Sequence, residues 1–229
     1  MNTALITGAS RGLGLALARA LADRQWRLVI DARGSEALLE TRDELAKTTA
    51  LVAIAGDVAE EAHRRALVEA AGESLQLLVN NASVLGPSPQ PRLADYPLAE
   101  LERAYAANVL APLRLAQLAL PALERNRGTL INITSDAAVA AYEGWGGYSS
   151  SKAALDQLTA VLATEHPRLS VHAVDPGDMR TQMHQEAFPD EDISDRPEPE
   201  ESVPGLLTLI EGQQPSGRYR AADLVEVGS

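Results

Sequence analysis

The chain has 229 residues, of which 45% are hydrophobic and 23% are charged, values typical of a soluble globular protein. Twenty basic residues against 32 acidic ones give a net charge of −12, which disfavours nucleic acid and anionic lipid as partners. Cysteine is absent, so disulfides, thiolate metal sites and cysteine nucleophiles are excluded. We see no signal peptide and no run of apolar residues as long as a membrane span, and therefore expect a cytoplasmic protein.

Short apolar runs alternate with longer stretches of helical periodicity along most of the chain. Strands are predicted over residues 3–7, 27–31, 50–55, 75–79, 128–134, 170–174 and 217–221. Helices are predicted over residues 12–24, 36–47, 60–71, 97–124, 148–164 and 206–211. Alternation at this spacing predicts an α/β fold, a doubly wound, Rossmann-like parallel sheet of about seven strands with helices on both faces. We expect residues 1–229 to form one domain.

The periodicity stops between residues 178 and 204. Within this segment, residues 186–201 contain eight carboxylates and one arginine, a net charge of −7. The acidic run alone is typical of a solvated loop. A segment of this length without periodicity is, however, more often a functional lid. We predict that it caps the substrate, with apolar contacts from Met179, Met183 and Phe188, and that its acids disfavour anionic substrates.

A glycine-rich turn, T-G-x-x-x-G-x-G from Thr7 to Gly14, lies between the first predicted strand and helix. Glycines here permit a tight turn and let backbone N–H groups approach a pyrophosphate at the positive end of the helix. No Gly-Lys-Ser/Thr sequence follows, so the turn is not a P-loop.

Tyr148 and Lys152 lie four residues apart, one turn apart on a single helix face. A nearby cation favours the phenolate, so we expect Lys152 to lower the pKa of Tyr148. Ser135 follows the fifth strand, where its hydroxyl can donate to an oxygen that gains charge. The four histidines show neither metal-ligand spacing nor a hydrolytic triad, and no metal site is predicted.

These motifs together resemble the short-chain dehydrogenase/reductase family over nearly the whole chain. Asn80-Asn81-Ala82 is similar to the family's Asn-Asn-Ala-Gly motif, with Ser83 where glycine is usual. The resemblance implies that Tyr148 is the acid/base and Lys152 its electrostatic partner. The catalytic tetrad of the family matches Asn108, Ser135, Tyr148 and Lys152, with Ser135 stabilising the oxyanion and Asn108 holding a water of a proton relay.

The end of the second strand bears on the choice between NADP and NAD. Members of the family that select NAD carry an acid at the position of Ala32, whereas here Asp31 stands one residue earlier and points to the opposite face. Arg33 and Arg11 stand where NADP-using members place cations for the 2′-phosphate. We therefore expect NADP(H); the alternative is that Asp31 binds a ribose diol and the cofactor is NAD.

The resemblance implies an NADP(H)-dependent oxidoreductase of a carbonyl/alcohol pair, most similar to small carbonyl reductases of the sniffer/C-factor type. The alternatives are a non-catalytic NADP(H)-binding redox sensor and a sugar-nucleotide epimerase, whose T-G-x-x-G-x-x-G turn is missing here. Relatives pair through helices matching residues 97–124 and 148–164, which implies a homodimer or homotetramer. The implied cofactor contacts are Gly8, Ser10, Arg11, Gly12, Leu13, Gly14, Arg33, Asp57, Val58, Asn81, Ala82, Tyr148, Lys152, Pro176, Gly177, Met179 and Thr181.

Overall fold

The computed structural model describes residues 2–225, which form a seven-stranded parallel sheet with α-helices on both faces. The strands are β1 (Thr3–Ile6), β2 (Arg27–Ala32), β3 (Leu51–Ala55), β4 (Leu75–Asn80), β5 (Thr129–Ile133), β6 (Ser170–Asp175) and β7 (Gly217–Arg220). The helices are α1 (Gly12–Asp23), α2 (Ser35–Leu45), α3 (Glu61–Ala71), α4 (Leu98–Tyr105), α5 (Ala111–Asn126), α6 (Gly146–Glu165), α7 (Gln182–Ala187) and α8 (Val203–Glu211).

The strand order is β3-β2-β1-β4-β5-β6-β7, with every neighbouring pair parallel. The predicted doubly wound sheet is therefore confirmed. The order reverses between β1 and β4, and in such sheets ligands bind at this point, beyond the carboxyl ends of the strands.

Two apolar layers stabilise the sheet, one on each face. Ala4 and Ile6 of β1 pack with α1, α2 and α8, whereas Leu5 between them packs with α3, α5 and α6. Side chains alternate between the faces of a strand, so each strand must be apolar on both sides when both faces are covered. This explains the nearly continuous apolar runs in the sequence.

The helix predicted over residues 97–124 is interrupted by a π-helical turn at Ala106–Leu110, which joins α4 to α5. Such turns are frequent at functional sites. Contrary to the expectation from sequence, the helix Leu98–Asn126 is long and apolar enough by composition to cross a membrane. Half of its apolar stretch is buried inside the fold, as in the core helix of a globular domain.

The expectation of an aperiodic segment at residues 178–204 was wrong in part, because it contains α7 and a 3-10 turn at Pro199–Ser202. Thr181 caps α7 by accepting a hydrogen bond from the backbone N–H of His184, a local signal that the acidic composition obscured. Met179 was predicted to line the substrate site, but it packs against the core cluster of α1 and α8.

Candidate active site

The glycine turn has the shape that the sequence predicts. Gly8 and Gly12 have φ angles of +68° and +55°, which L-residues rarely adopt. A Cβ atom on Gly14 would lie 2.5 Å from the carbonyl oxygen of Gly8, so only glycine fits at position 14. Arg11 makes no side-chain cap at the start of α1. The N–H groups of that first turn therefore remain available to an anion.

Hydrogen bonds with the residues that directly follow β4 hold this turn in place. The Asn81 side-chain amide donates to the carbonyl oxygens of Thr7 and Gly8 at 2.8 and 3.1 Å. In return the Thr7 hydroxyl accepts the backbone N–H groups of Asn81 and Ala82, each at 3.0 Å. The predicted cofactor contact Asn81 thus uses its amide to position the turn.

Asp31 supports the same turn from β2. Its side chain is 1% exposed and accepts the backbone N–H of Gly8 at 2.7 Å and Nε2 of His63 at 2.8 Å. Both carboxylate oxygens are therefore engaged inside the fold. Arg33, two residues further on, is exposed and makes no ion pair within residues 2–225. Arg11 is also exposed and donates to the side chain of Gln182 at the start of α7.

The remaining predicted cofactor residues follow the carboxyl ends of their strands, on the same edge of the sheet. Asp57 caps its own turn by accepting the N–H of Ala59 at 2.8 Å. Gly177 has a φ of +79° and donates its N–H to Asp175 at 3.0 Å. The sheet edge also carries the other predicted residues: Ser10 in the turn, the buried side chains of Leu13 and Val58, and Pro176, which precedes Gly177.

Tyr148 and Lys152 face each other on α6, as their spacing predicts. The side chains are 8% and 2% exposed, and Nζ of Lys152 lies 5.5 Å from the centre of the Tyr148 ring. The ammonium donates to the carbonyl oxygen of Ile133 at 2.8 Å. Burial lowers the pKa of Lys152 to about 8, although the negative charge of Asp156 acts to raise it.

The pKa of Tyr148 moves in the direction opposite to that expected from sequence. Burial raises the pKa of Tyr148 well above its usual range, and hydrogen bonding to Ser83 and Ser135 only partly opposes the rise. Asp175 and Asp136 raise it further. Desolvation outweighs the hydrogen bonds that favour the phenolate, so the phenol is protonated at neutral pH.

Ser135 lies at the carboxyl end of β5, where its hydroxyl donates to Asp136 at 2.9 Å. Tyr142 also donates its hydroxyl to Asp136, at 2.8 Å. Burial alone would raise the pKa of Asp136, but these hydrogen bonds lower it below the usual value. The Ser135 hydroxyl is thus already a hydrogen-bond donor to an anionic oxygen.

Asn108 is fully buried in the π turn. Its side chain accepts the N–H of Val84 and donates to the carbonyl of Val84, both at 2.8 Å. It also donates to Ser151 at 3.0 Å and accepts from Ser83 at 3.2 Å. The side chain joins the loop after β4 to α6, and the relay role remains a prediction.

Sequence reasoning missed two side chains at this site. Asp136 holds Ser135 and Tyr142, and the only signal was its position directly after the serine. Trp145 packs edge-on against Tyr148, with 5.9 Å between ring centres. Its signal was a rare aromatic residue three positions before Tyr148 on the same helix face.

A sequence model described as short chain dehydrogenase matches residues 2–192. The chain belongs to this family. Its relatives include the 3-oxoacyl-(acyl-carrier-protein) reductase of rhamnolipid biosynthesis from Pseudomonas aeruginosa, 37% identical over 79% of this chain and 73% of that protein. Sepiapterin reductase of Mus musculus is 36% identical over 79% of this chain and 76% of that protein. Relatives of this short chain dehydrogenase are thus reductases, and the chain is an oxidoreductase.

Among solved structures, the chain resembles an alcohol dehydrogenase from the archaeon Thermococcus sibiricus complexed with 5-hydroxy-NADP. The TM-score is 0.86 at 26% identity, covering 96% of this chain and 95% of that one. Members of the family bind a nicotinamide cofactor, and the residues present here fit one. The uncapped N–H groups of α1 suit a pyrophosphate, and Lys152 has one protein acceptor for its three donors.

Proposed function

We propose that this short chain dehydrogenase is an NADPH-dependent carbonyl reductase. The strongest support is the environment of Tyr148, a buried, protonated phenol beside Lys152 and Ser135 at the carboxyl edge of the sheet. A reductase needs a proton donor at the carbonyl oxygen, and Tyr148 offers a phenol O–H there, with Lys152 beside it to stabilise the phenolate that remains after the transfer.

The preference for NADP(H) is supported by the residues after β2. Asp31 is occupied by Gly8 and His63 and so has no free oxygen for a ribose diol. Arg33 is exposed and carries the positive charge that a 2′-phosphate requires. The resemblance to an alcohol dehydrogenase complexed with 5-hydroxy-NADP points in the same direction.

The residues of the site divide the chemistry between them. When bound, NADPH supplies the hydride for the carbonyl carbon. Tyr148 donates its proton to the carbonyl oxygen as that oxygen gains charge, and Ser135 turns its O–H from Asp136 to the same oxygen. The ammonium of Lys152 then lies next to the phenolate that remains and stabilises it.

A spectrophotometric screen tests this proposal, with NADPH and NADH run in parallel over aldehydes, diketones and quinones. We expect faster consumption of NADPH than of NADH, and a loss of kcat of at least about 100-fold in Tyr148→Phe. Tyr219→Phe is the matched control, because the hydroxyl of Tyr219 on β7 donates to the carbonyl oxygen of Pro215. Turnover unaffected by Tyr148→Phe would contradict the role given to Tyr148, whereas tight NADPH binding without turnover of any carbonyl would favour a non-catalytic redox sensor.

We also propose that the protein is a cytoplasmic homodimer or homotetramer assembled through α4, α5 and α6. The apolar side chains of Leu98, Leu110 and Val161 are exposed on these helices by 73%, 58% and 41%. Large apolar side chains exposed on helices can supply an association surface. The molar mass measured by light scattering tests this directly, and the mass of a monomer would refute it.

A further inference from the structure

A row of four aromatic side chains, Tyr142, Trp145, Phe188 and His184, contacts Tyr148 through Trp145. Ring centres are 6.2 Å apart for Tyr142 and Trp145, 5.6 Å for Trp145 and Phe188, and 4.9 Å for Phe188 and His184. Trp145 also packs edge-on against Tyr148 at 5.9 Å. The row thus runs from the start of α6 to the end of α7 and contacts the proposed proton donor through Trp145.

Apolar side chains continue this surface around the Tyr148 ring. Leu85 and Ala137 are buried against Tyr148, and Met183 and Ala187 of α7 pack on the same cluster. These residues come from the loops after β4 and β5 and from the capping segment. The hydroxyl of Tyr148 is therefore approached between aromatic and aliphatic groups, a lining typical of sites for apolar ligands.

Carboxylates stand at both ends of the aromatic row. Asp136 accepts the hydroxyl of Tyr142 at 2.8 Å, and an oxygen of Asp178 lies 3.9 Å from Nδ1 of His184. Three carboxylates and one guanidinium line a cavity of about 90 Å3 here, namely Asp136, Asp175, Asp178 and Arg220. A second guanidinium, Arg218, is 2.9 Å from Asp156 and 3.7 Å from Asp175, so it leaves the negative balance unchanged.

We propose that the substrate is an aryl aldehyde or aryl ketone that is neutral or positively charged. Its ring packs against Trp145 and Phe188 while its carbonyl oxygen meets the hydroxyl of Tyr148. Edge-on and offset contacts between aromatic rings contribute binding free energy beyond that of the buried area. A cation over the face of an aromatic ring is also attracted to it. This inference rests on the proposed carbonyl reduction and names its substrate class.

The same arrangement excludes anionic carbonyl compounds. A carboxylate on the substrate would face three carboxylates, Asp136, Asp175 and Asp178, against the single guanidinium of Arg220. Like charges some 7 Å apart at the effective dielectric of a protein surface lower affinity by about tenfold or more. A phosphopantetheine-linked chain carries a phosphodiester and is disfavoured for the same reason. The site is therefore expected to favour substrates that carry an aromatic ring and no negative charge.

A matched set of aldehydes tests both features. The neutral member is 4-(methoxymethyl)benzaldehyde, the cationic one carries a trimethylammoniomethyl group, and the anionic one a carboxymethyl group, each separated from the ring by a methylene. Cyclohexanecarboxaldehyde replaces the aromatic ring. We expect kcat/KM for the neutral and cationic aryl compounds to exceed both others by about tenfold or more. The penalty on the anion should shrink at high salt.

Variants assign these preferences to residues. Asp178→Asn should raise severalfold the ratio of kcat/KM for the carboxymethyl compound to kcat/KM for the neutral compound. Phe188→Leu should lower the preference for aryl over cyclohexyl, whereas Trp26→Phe, remote from the site in the core cluster of α1, should not. Trp26→Phe also leaves Trp145 as the only tryptophan. Quenching of its fluorescence then reports binding of the product alcohols without turnover.

The outcomes separate this inference from the proposed function. Consumption of NADPH with any of the aldehydes supports carbonyl reduction, and only the ranking tests the substrate class. Equal or better use of the carboxymethyl or cyclohexyl compound overturns the class while the proposed function stands. With no turnover at all the proposed function fails, and the fluorescence ranking of the alcohols still supports or overturns the class.

Discussion

Replacing Arg33 with alanine should weaken binding of NADPH and leave binding of NADH unchanged. Arg33 is exposed, and within the described residues 2–225 it makes no ion pair that would have to break when a phosphate binds. A 2′-phosphate carries about two negative charges, and a charge-assisted hydrogen bond contributes about 1.5–3 kcal/mol. Solvent exposure keeps this contribution at about 2 kcal/mol, or about thirtyfold in Kd.

Fluorescence titration of both cofactors against Arg33→Ala measures this difference. Arg42→Ala is the matched control, because Arg42 is an exposed arginine of α2 that pairs with its neighbour Asp43. Asp31→Asn should weaken both cofactors alike, since it disturbs Gly8 rather than a ribose contact. Equal weakening of both cofactors by Arg33→Ala, or loss of NADH binding alone in Asp31→Asn, would refute the assignment to NADP(H).

Three further predictions concern pH and the proton donor. Burial places the pKa of Lys152 at about 8, so kcat/KM should fall as the pH rises through about 8 and the ammonium is lost; in Lys152→Arg the fall should move to higher pH. Burial lowers the pKa of His172 from 6.5 to about 4. Between these two pH values the unfolded chain binds a proton at His172 that the folded chain does not. The free energy of unfolding should therefore fall by up to about 1.4 kcal/mol per pH unit as the pH drops from 6.5 to 4. Denaturation of His172→Leu, measured over the same pH range, should not show this fall. Ser83→Gly removes a hydrogen bond that lowers the pKa of Tyr148, so the phenol becomes a weaker acid and kcat should fall about fivefold, whereas Ser83→Thr should keep its activity.

The fold and the Tyr148–Lys152 pair could be predicted because both depend on local periodicity. Buried parallel strands must be apolar on both faces, and two residues four apart on a helix must share a face. The same reasoning predicts that Asp31 points to the face opposite to that of Ala32, since one step along a strand turns a side chain to the other face. The structure places that carboxylate inward, against Gly8 and His63.

The features that sequence could not give depend on tertiary packing. The pKa of Tyr148 rises because Leu85, Trp145 and the α7 residues bury it, and their approach follows from the fold rather than from spacing. In the π turn, the Asn108 side chain likewise forms hydrogen bonds with Val84 and Ser151, which are distant in sequence. Composition also hid α7, whose cap at Thr181 lies just ahead of the acidic run.

The most direct measurement is a turnover with NADPH that carries two deuterons at C4 of the nicotinamide. For a neutral aryl aldehyde we predict an alcohol with one deuteron on the carbinol carbon, formed rapidly by the wild type and at least about 100-fold more slowly by Tyr148→Phe. An alcohol without that deuteron, or equal rates for the two proteins, would contradict hydride transfer assisted by Tyr148.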